Sequence, residues 1–331
     1  MSKEILPRRE QFESIRGTPM VQWRRKWRSV FLVLFAFIAV PWADGGNPAA
    51  DDTLRLRILS YNIHHGEGMD GELDLARIAK VINAVNPDVV ALQEVDAGTQ
   101  RSEQVDQPAV LARLSDLNVV FGGNIRYQGG DYGNAVLSRF PIVRHKNHPL
   151  PRFDDGEQRG VLEVHVKLPD GAGTLLFLAT HLDHRPGDRE RLASAAAINK
   201  IAAGQAKPSA KPSRAGTSDG GGNFSNQNNG TDHGPNRAPP REPALLAGDL
   251  NDVPNSETLR KFKTVWALAN REVLPTFPAK EPDKQIDFIL FRPDARWKTI
   301  DVRVLAEPVA SDHRPILAVL ELLPASSAQS D

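Results

Sequence analysis

Six short segments of this chain place polar side chains where an apolar run stops. They are Tyr61-Asn62-Ile63-His64, Gln93-Glu94, Thr180-His181-Leu182-Asp183, Gly248-Asp249-Leu250-Asn251-Asp252, Gln285-Ile286-Asp287 and Ser311-Asp312-His313-Arg314-Pro315. Carboxylates, imidazoles and amides carry proton transfer and hard-metal binding, and a strand end is a rigid mount for them. Carboxylates gathered in this way repel one another unless a cation lies between them. The chain has no cysteine, so zinc-thiolate sites, iron-sulfur clusters, cysteine nucleophiles and disulfide scaffolds are excluded. Any metal here sits on oxygen or imidazole. The Ser311-Asp312-His313 run is not a hydrolytic triad, because consecutive extended residues point to opposite faces and cannot hydrogen-bond in series.

The elements that must position these groups are legible from the flanking residues. Residues 54–61 alternate as a strand, and Asp74 caps a helix carrying Leu75, Ile78, Ile82 and Val85 on one face until Pro87 stops it. Residues 89–92 form a short buried strand that delivers Gln93 and Glu94 at its end. Further strands are expected at 134–138, 161–168, 174–180, 244–247, 286–291 and 316–322, with a helix at 192–201. Many strands, few helices and no internal repeat predict two packed sheets with helices outside.

The order and wording of the six segments resemble the endonuclease/exonuclease/phosphatase superfamily, the DNase I-like fold. The resemblance runs from about Leu54 to Leu322, and Gly248-Asp249-Leu250-Asn251 with Ser311-Asp312-His313-Arg314-Pro315 is specific in combination with Gln93-Glu94. It implies a four-layered α/β sandwich and a magnesium- or manganese-dependent phosphoesterase. By the same resemblance Glu94 is the main metal ligand, helped by Asp312, and Asn62 either orients a phosphate oxygen or completes the metal shell. His313 becomes the general base, or the group that stabilises the transition state, with Asp287 orienting it. Asp249 activates or positions the attacking water, Asn251 contacts phosphate, and His181 contacts phosphate or assists the leaving oxygen. Arg159 resembles the family's phosphate-facing arginine, and Tyr132 is a candidate substrate contact. One position departs: the branch that repairs abasic DNA has an aspartate two residues after its asparagine, where this chain has His64. That loss argues against a second tightly held metal and against that nuclease activity. His64 and His65 either bind a softer ion such as manganese or are paired surface histidines.

Residues 1–29 carry eight basic and three acidic side chains, and 30–43 carry no charge. Arg24, Arg25, Lys26 and Arg28 ahead of the apolar run 30–40, with Ala43 as a cleavage point and Met20 as an alternative start, predict a signal peptide and export. The alternative is an uncleaved anchor through 30–40; eleven apolar residues are too few to span a bilayer as a helix. A linker at 44–53 leads into one domain, 54–322, followed by a tail at 323–331. Residues 204–241 contain seven Gly, five Pro, five Asn and four Ser, a composition expected of a disordered insertion. Its sequons at Asn223 and Asn229 matter only in a glycosylating pathway. From Asp44 onward 33 basic and 38 acidic residues leave a net charge of −5, which disfavours sequence-independent nucleic-acid binding. The expected substrate is therefore a small or lipid-derived phosphodiester, the latter at a membrane surface, and the protein is expected to act as a monomer without a protein partner. A secreted nuclease and a catalytically inactive binding module are the alternatives.

Overall fold

The computed structural model describes residues 53–204 and 242–324. The expected signal or anchor segment, the insertion and the end of the tail lie outside those residues. In the first strand, β1 (Leu54–Asn62), Leu56 and Ile58 face one apolar layer while Leu59 and Tyr61 face another. A strand buried on both faces belongs to the middle of a layered structure. Around it stand β2 (Val89–Ala97), β3 (Asn118–Tyr127), β4 (Gly130–Ser138), β11 (Trp297–Val304) and β12 (Ile316–Leu322), in the order β11-β12-β1-β2-β4-β3. The second sheet contains β5 (Ile142–Pro149), β6 (Gly160–Lys167), β7 (Thr174–His181), β8 (Ala244–Asp249), β9 (Ala267–Leu268) and β10 (Asp287–Arg292), in the order β5-β6-β7-β8-β10-β9.

Residues from both sheets, among them Ile58, Val136, Val164, Phe177 and Ile289, form the central apolar layer. On the outer face of the first sheet lies α1 (Leu75–Ala84), capped by Asp74, whose carboxylate accepts from Arg77 N at 2.9 Å. Helix α2 (Gln107–Ser115) covers the same face. Helices α3 (Arg189–Ala202) and α4 (Glu257–Lys263) bury Ile198 and Phe262 against the second sheet. The result is the expected four-layered α/β sandwich of two mostly antiparallel sheets. No helix among the described residues is long and apolar enough to cross a membrane.

Each sheet contains one parallel pair, β1 with β2 and β7 with β8. Their carboxyl ends bring Asn62 beside Gln93 and His181 beside Asp249. Close approach at the second pair depends on Gly248, where an added Cβ would stand 1.9 Å from Thr180 O. Gly248→Ala must therefore push β8 away from β7. We expect a loss of about 2–3 kcal/mol in stability, as overpacking typically costs, measurable as a drop in the urea midpoint. An unchanged midpoint would show that the two strands can separate freely.

Candidate active site

Glu94 is the first departure from the expected local structure. Strand β2 does not stop before it but continues to Ala97, and Glu94 sits at a left-handed φ of 57° where the pairing with β4 shifts between Leu92 and Val95. A bulge of this kind re-aims one side chain while the strand carries on. Glu94 thereby lines a cavity of ≈ 860 Å³ together with Tyr132, Arg159, His181, Asp249, Asn251, Asp312 and His313. Asn62 and Asp287 are buried beneath it.

The second departure is at Asn251. The segment after β8 is not extended: Asn251 has a φ of 48°, and its N–H donates to Asp249 Oδ1 at 2.9 Å. This side chain–backbone turn, rather than strand alternation, puts both side chains on the cavity side.

Asn62 joins the two sheets. Its Nδ2 donates to Glu94 Oε1 at 3.0 Å and to Asp249 Oδ2 at 3.2 Å, while its Oδ1 accepts from His64 N at 3.1 Å. The amide nitrogen holds the two carboxylates, and the oxygen, with one backbone N–H on it, keeps a second lone pair for the expected phosphate or metal contact.

Beneath the cavity Asp249 and Asp287 are register partners on antiparallel strands, both 1% exposed. Burial, and then the charge of Asp287, push the Asp249 carboxyl up to about 7. His313 lies between them, with Nδ1 2.9 Å from Asp287 Oδ2 and Nε2 3.7 Å from Asp249 Oδ2. Burial pulls the imidazole down, but Asp287 and Asp249 outweigh it and raise it to about 10. Thr276 Oγ1 donates to Asp287 Oδ2 at 2.6 Å, and the Phe277 ring packs 4.8 Å from the imidazole. The two flanking carboxylates thus favour the protonated ring. Of the two roles expected for His313, this setting favours that of a donor stabilising the transition state, and the raised carboxyl of Asp249 suits a proton acceptor.

His181 has the opposite character. Burial, then Arg159 and His313, hold it well below the usual imidazole range. Arg159 Nη1 donates to its Nδ1 at 3.1 Å. A guanidinium has no acceptor, so neutral His181 carries its proton on Nε2, which faces Asp249 Oδ2 at 3.5 Å; the Asn251 Nδ2 beside it is itself a donor and is directed to Leu182 O at 3.0 Å. Arg159 itself is 3% exposed; its Nη1 and Nη2 face His181, His184 and Glu157, its Nε has no partner, and it lines the cavity. It acts on the cluster through the imidazole.

Asp249, Asp287 and His313 offer donor atoms within 4.8 Å of one another, as a metal cluster would. We read this group as a proton network instead, because both ring nitrogens of His313 already face carboxylates. Glu94 and Asp312 suit a hard divalent cation better: each lines the cavity, Glu94 has only Oε1 engaged, by the Asn62 amide, and Asp312 has only a 3.3 Å contact of Oδ1 with the Ser311 hydroxyl. Magnesium is commonly held by one or two carboxylates and several waters, and this donor set fits it. Ser311 donates to Asn62 O at 2.7 Å and is a structural hydroxyl. Of the paired histidines, His64 lines the cavity, whereas His65 is buried against Glu67 at 3.2 Å, so they do not form a two-histidine ligand set.

A profile described as the Endonuclease/Exonuclease/phosphatase family matches residues 59–313. The protein YbhP of Escherichia coli strain K12 is 23% identical over 290 residues, covering 83% of this chain and all of that one. A solved structure of an endonuclease/exonuclease/phosphatase from Beutenbergia cavernae is 26% identical with a TM-score of 0.62, covering 83% of this chain and 73% of the other. A mannosyl-6-phosphatase from Bacteroides thetaiotaomicron shares the fold at 20% identity and a TM-score of 0.58, covering 80% and 99%.

Proposed function

The chain belongs to the endonuclease/exonuclease/phosphatase family, and from that premise we propose that it is a divalent-metal-dependent phosphoesterase in which water attacks phosphorus in line. The observation that carries the reading is the buried relay Asp287–His313–Asp249 opening onto the carboxylates Glu94 and Asp312. Asp249 Oδ2 takes the proton of the attacking water, with its Oδ1 fixed by Asn251 N. His181 donates Nε2–H to a phosphoryl oxygen, its tautomer set by Arg159. His313, cationic between two carboxylates, donates to the oxygen on which charge accumulates. Glu94 and Asp312 would hold magnesium or manganese, which when bound neutralises charge on the phosphoryl group.

A small or lipid-derived diester is the proposed substrate, supported by the net charge of −5 from Asp44 onward. Export is supported by the basic and apolar run at 24–43. The presence of a complete proton network in the cavity argues against a binding module that has lost catalysis. The protein assayed with magnesium or manganese should cleave an aryl phosphodiester in preference to an aryl phosphomonoester and DNA, with sphingomyelin as the lipid arm. Cleavage of DNA alone would move the assignment to a nuclease, and no cleavage of any of the four would overturn it. Glu94→Gln should lower turnover roughly a hundredfold or more and raise the metal concentration needed, since even residues behind a ligand tune affinity 10- to 100-fold. Parent-like metal dependence in Glu94→Gln would remove Glu94 from the metal site.

A further inference from the structure

The catalytic groups occupy only part of the cavity. Another part of its lining is Arg101, Arg126, Tyr127 and Tyr132, with Arg152 also at the lining. None of the three arginines belongs to the proton network or to the carboxylates that suit a metal.

Arg101 is the most highly organised of them. Its Nε and Nη2 donate to Asp96 Oδ2 and Oδ1 at 2.8 and 2.9 Å, and Asp96 is wholly buried. Asp96 also accepts from Thr99 Oγ1 at 2.7 Å, and its N–H is taken by Gln107 Oε1. The guanidinium carbon lies 4.9 Å from the Tyr127 ring centre and 5.1 Å from that of Tyr132. Arg101 N donates to Gln128 Oε1 at 2.8 Å, which ties its loop to the β3–β4 hairpin. A side chain with many rotamers is thus fixed in one pose. The fork toward Asp96 uses Nε and Nη2, Nη1 has no protein partner among the described residues, and Arg101 lines the cavity. Arg152 makes no hydrogen bond or ion pair among the described residues. The Tyr132 hydroxyl likewise has no protein partner, and burial and the charge of Glu94 hold it protonated.

Fixed N–H and O–H donors with nothing to accept from them are what an oxyanion needs. We infer that Arg101 and Tyr132 form a subsite for a second oxyanion of the substrate, a phosphate or carboxylate remote from the phosphorus under attack, with the exposed Arg152 adding positive charge elsewhere on the same lining. The inference deepens the phosphoesterase reading and rests on it for the identity of the first group. The size of the cavity, ≈ 860 Å³, is within the usual range for a whole small-molecule ligand, so both groups have room. Tyr127 and Asp96 are positioning residues that hold the Arg101 plane.

The test has a binding arm and a turnover arm. In the binding arm, calorimetry compares methylphosphonate with 3-phosphonopropionate and 1,3-propanediphosphonate on the magnesium-loaded protein. The two bis-oxyanions should bind about tenfold or more tightly than methylphosphonate, as one charge-assisted contact allows. Arg101→Gln combined with Asp96→Asn, which leaves no buried charge unpaired, should erase that advantage, as should Arg101→Lys in large part, because a compact ammonium cannot span both Asp96 oxygens and also reach the place of Nη1. In the turnover arm, methyl 4-nitrophenyl phosphate is compared with its analogues carrying a remote carboxylate, phosphate or trimethylammonium. The anionic analogues should have the lower KM, and the double variant should lose the preference. Equal binding of mono- and bis-oxyanions by the parent, or an advantage retained in the double variant, would overturn the subsite. Absence of turnover with the binding advantage intact would instead overturn the phosphoesterase reading and leave the subsite standing. A preference for carboxylate over phosphate, or the reverse, identifies which oxyanion the subsite was built for.

Discussion

Asp249→Asn will lower turnover by about 10³- to 10⁴-fold, the upper part of the range for a positioned acid–base group, while the midpoint of thermal unfolding at pH 7 to 8 stays level with the parent or rises. The two outcomes have one cause. Asp249 is buried, faces Asp287 across the strand pair, and has its carboxyl pushed up to about 7, against an ordinary value near 4. A carboxyl raised in the fold contributes stability that is complete below the ordinary value and is lost as pH climbs through about 7. Above that pH the ionised group weakens the fold, and an amide of the same shape removes the charge. The midpoint difference between variant and parent should therefore grow from pH 5 to pH 8. Activity needs the carboxylate that the fold would prefer not to carry, a trade familiar from functional sites. Loss of activity with a large fall in midpoint at pH 8 would mean that Asp249 is structural.

Asp287→Asn and His313→Ala separate the proposed roles by the direction in which the pH limbs move. In the parent, activity rises as Asp249 ionises and falls as His313 loses its proton, with groups placed at about 7 and about 10; a bound cation draws the acid limb lower. The charge of Asp287 raises both groups. Asp287→Asn should accordingly shift both limbs toward lower pH and reduce the maximal rate roughly a hundredfold or more. His313→Ala removes a cation that lowers Asp249, so its acid limb should move up and its alkaline limb should vanish. If His313 were instead a neutral base, its loss would remove the acid limb and spare the alkaline one. pH–rate profiles of kcat/KM for the parent and the two variants decide between these patterns.

Much of the site was legible in the sequence because it is mounted on buried strands. His181 and Asp249 end apolar runs, Glu94 interrupts one and Asp287 begins one, and strand burial on both faces makes such runs conspicuous. What the runs do not reveal is local backbone geometry. Strand β2 was expected to end at Leu92, yet a one-residue bulge lets it pass Glu94, and no residue type in Gln93-Glu94-Val95 announces that. Strand β5 was invisible for a different reason: most of Ile142–Pro149 is exposed and polar, so it shows no apolar alternation, and it is an edge strand that pairs only with β6. Protonation was beyond the sequence altogether. That His313 has a carboxylate at each nitrogen follows from Asp249 and Asp287 being opposite one another, a register set by strands separated in the chain by α4 and the β9 loop. Thr276, Phe277 and Arg101 lie in polar loops, where an isolated Thr, Phe or Arg carries no signal until the loop is folded.

The central claim, direct attack of water on phosphorus, is tested most directly by the stereochemistry of a single turnover. A phosphorothioate diester of one known configuration at phosphorus, hydrolysed by the magnesium- or manganese-loaded protein in ¹⁸O-water, gives a product whose configuration reports the number of displacements. The arrangement of Asp249 as proton acceptor, with no nucleophilic side chain placed to attack, predicts one ¹⁸O in the phosphorothioate product and inversion at phosphorus. Retention of configuration would require a covalent intermediate on the protein, and ¹⁸O in the alcohol product would place the attack on carbon; either result contradicts the account.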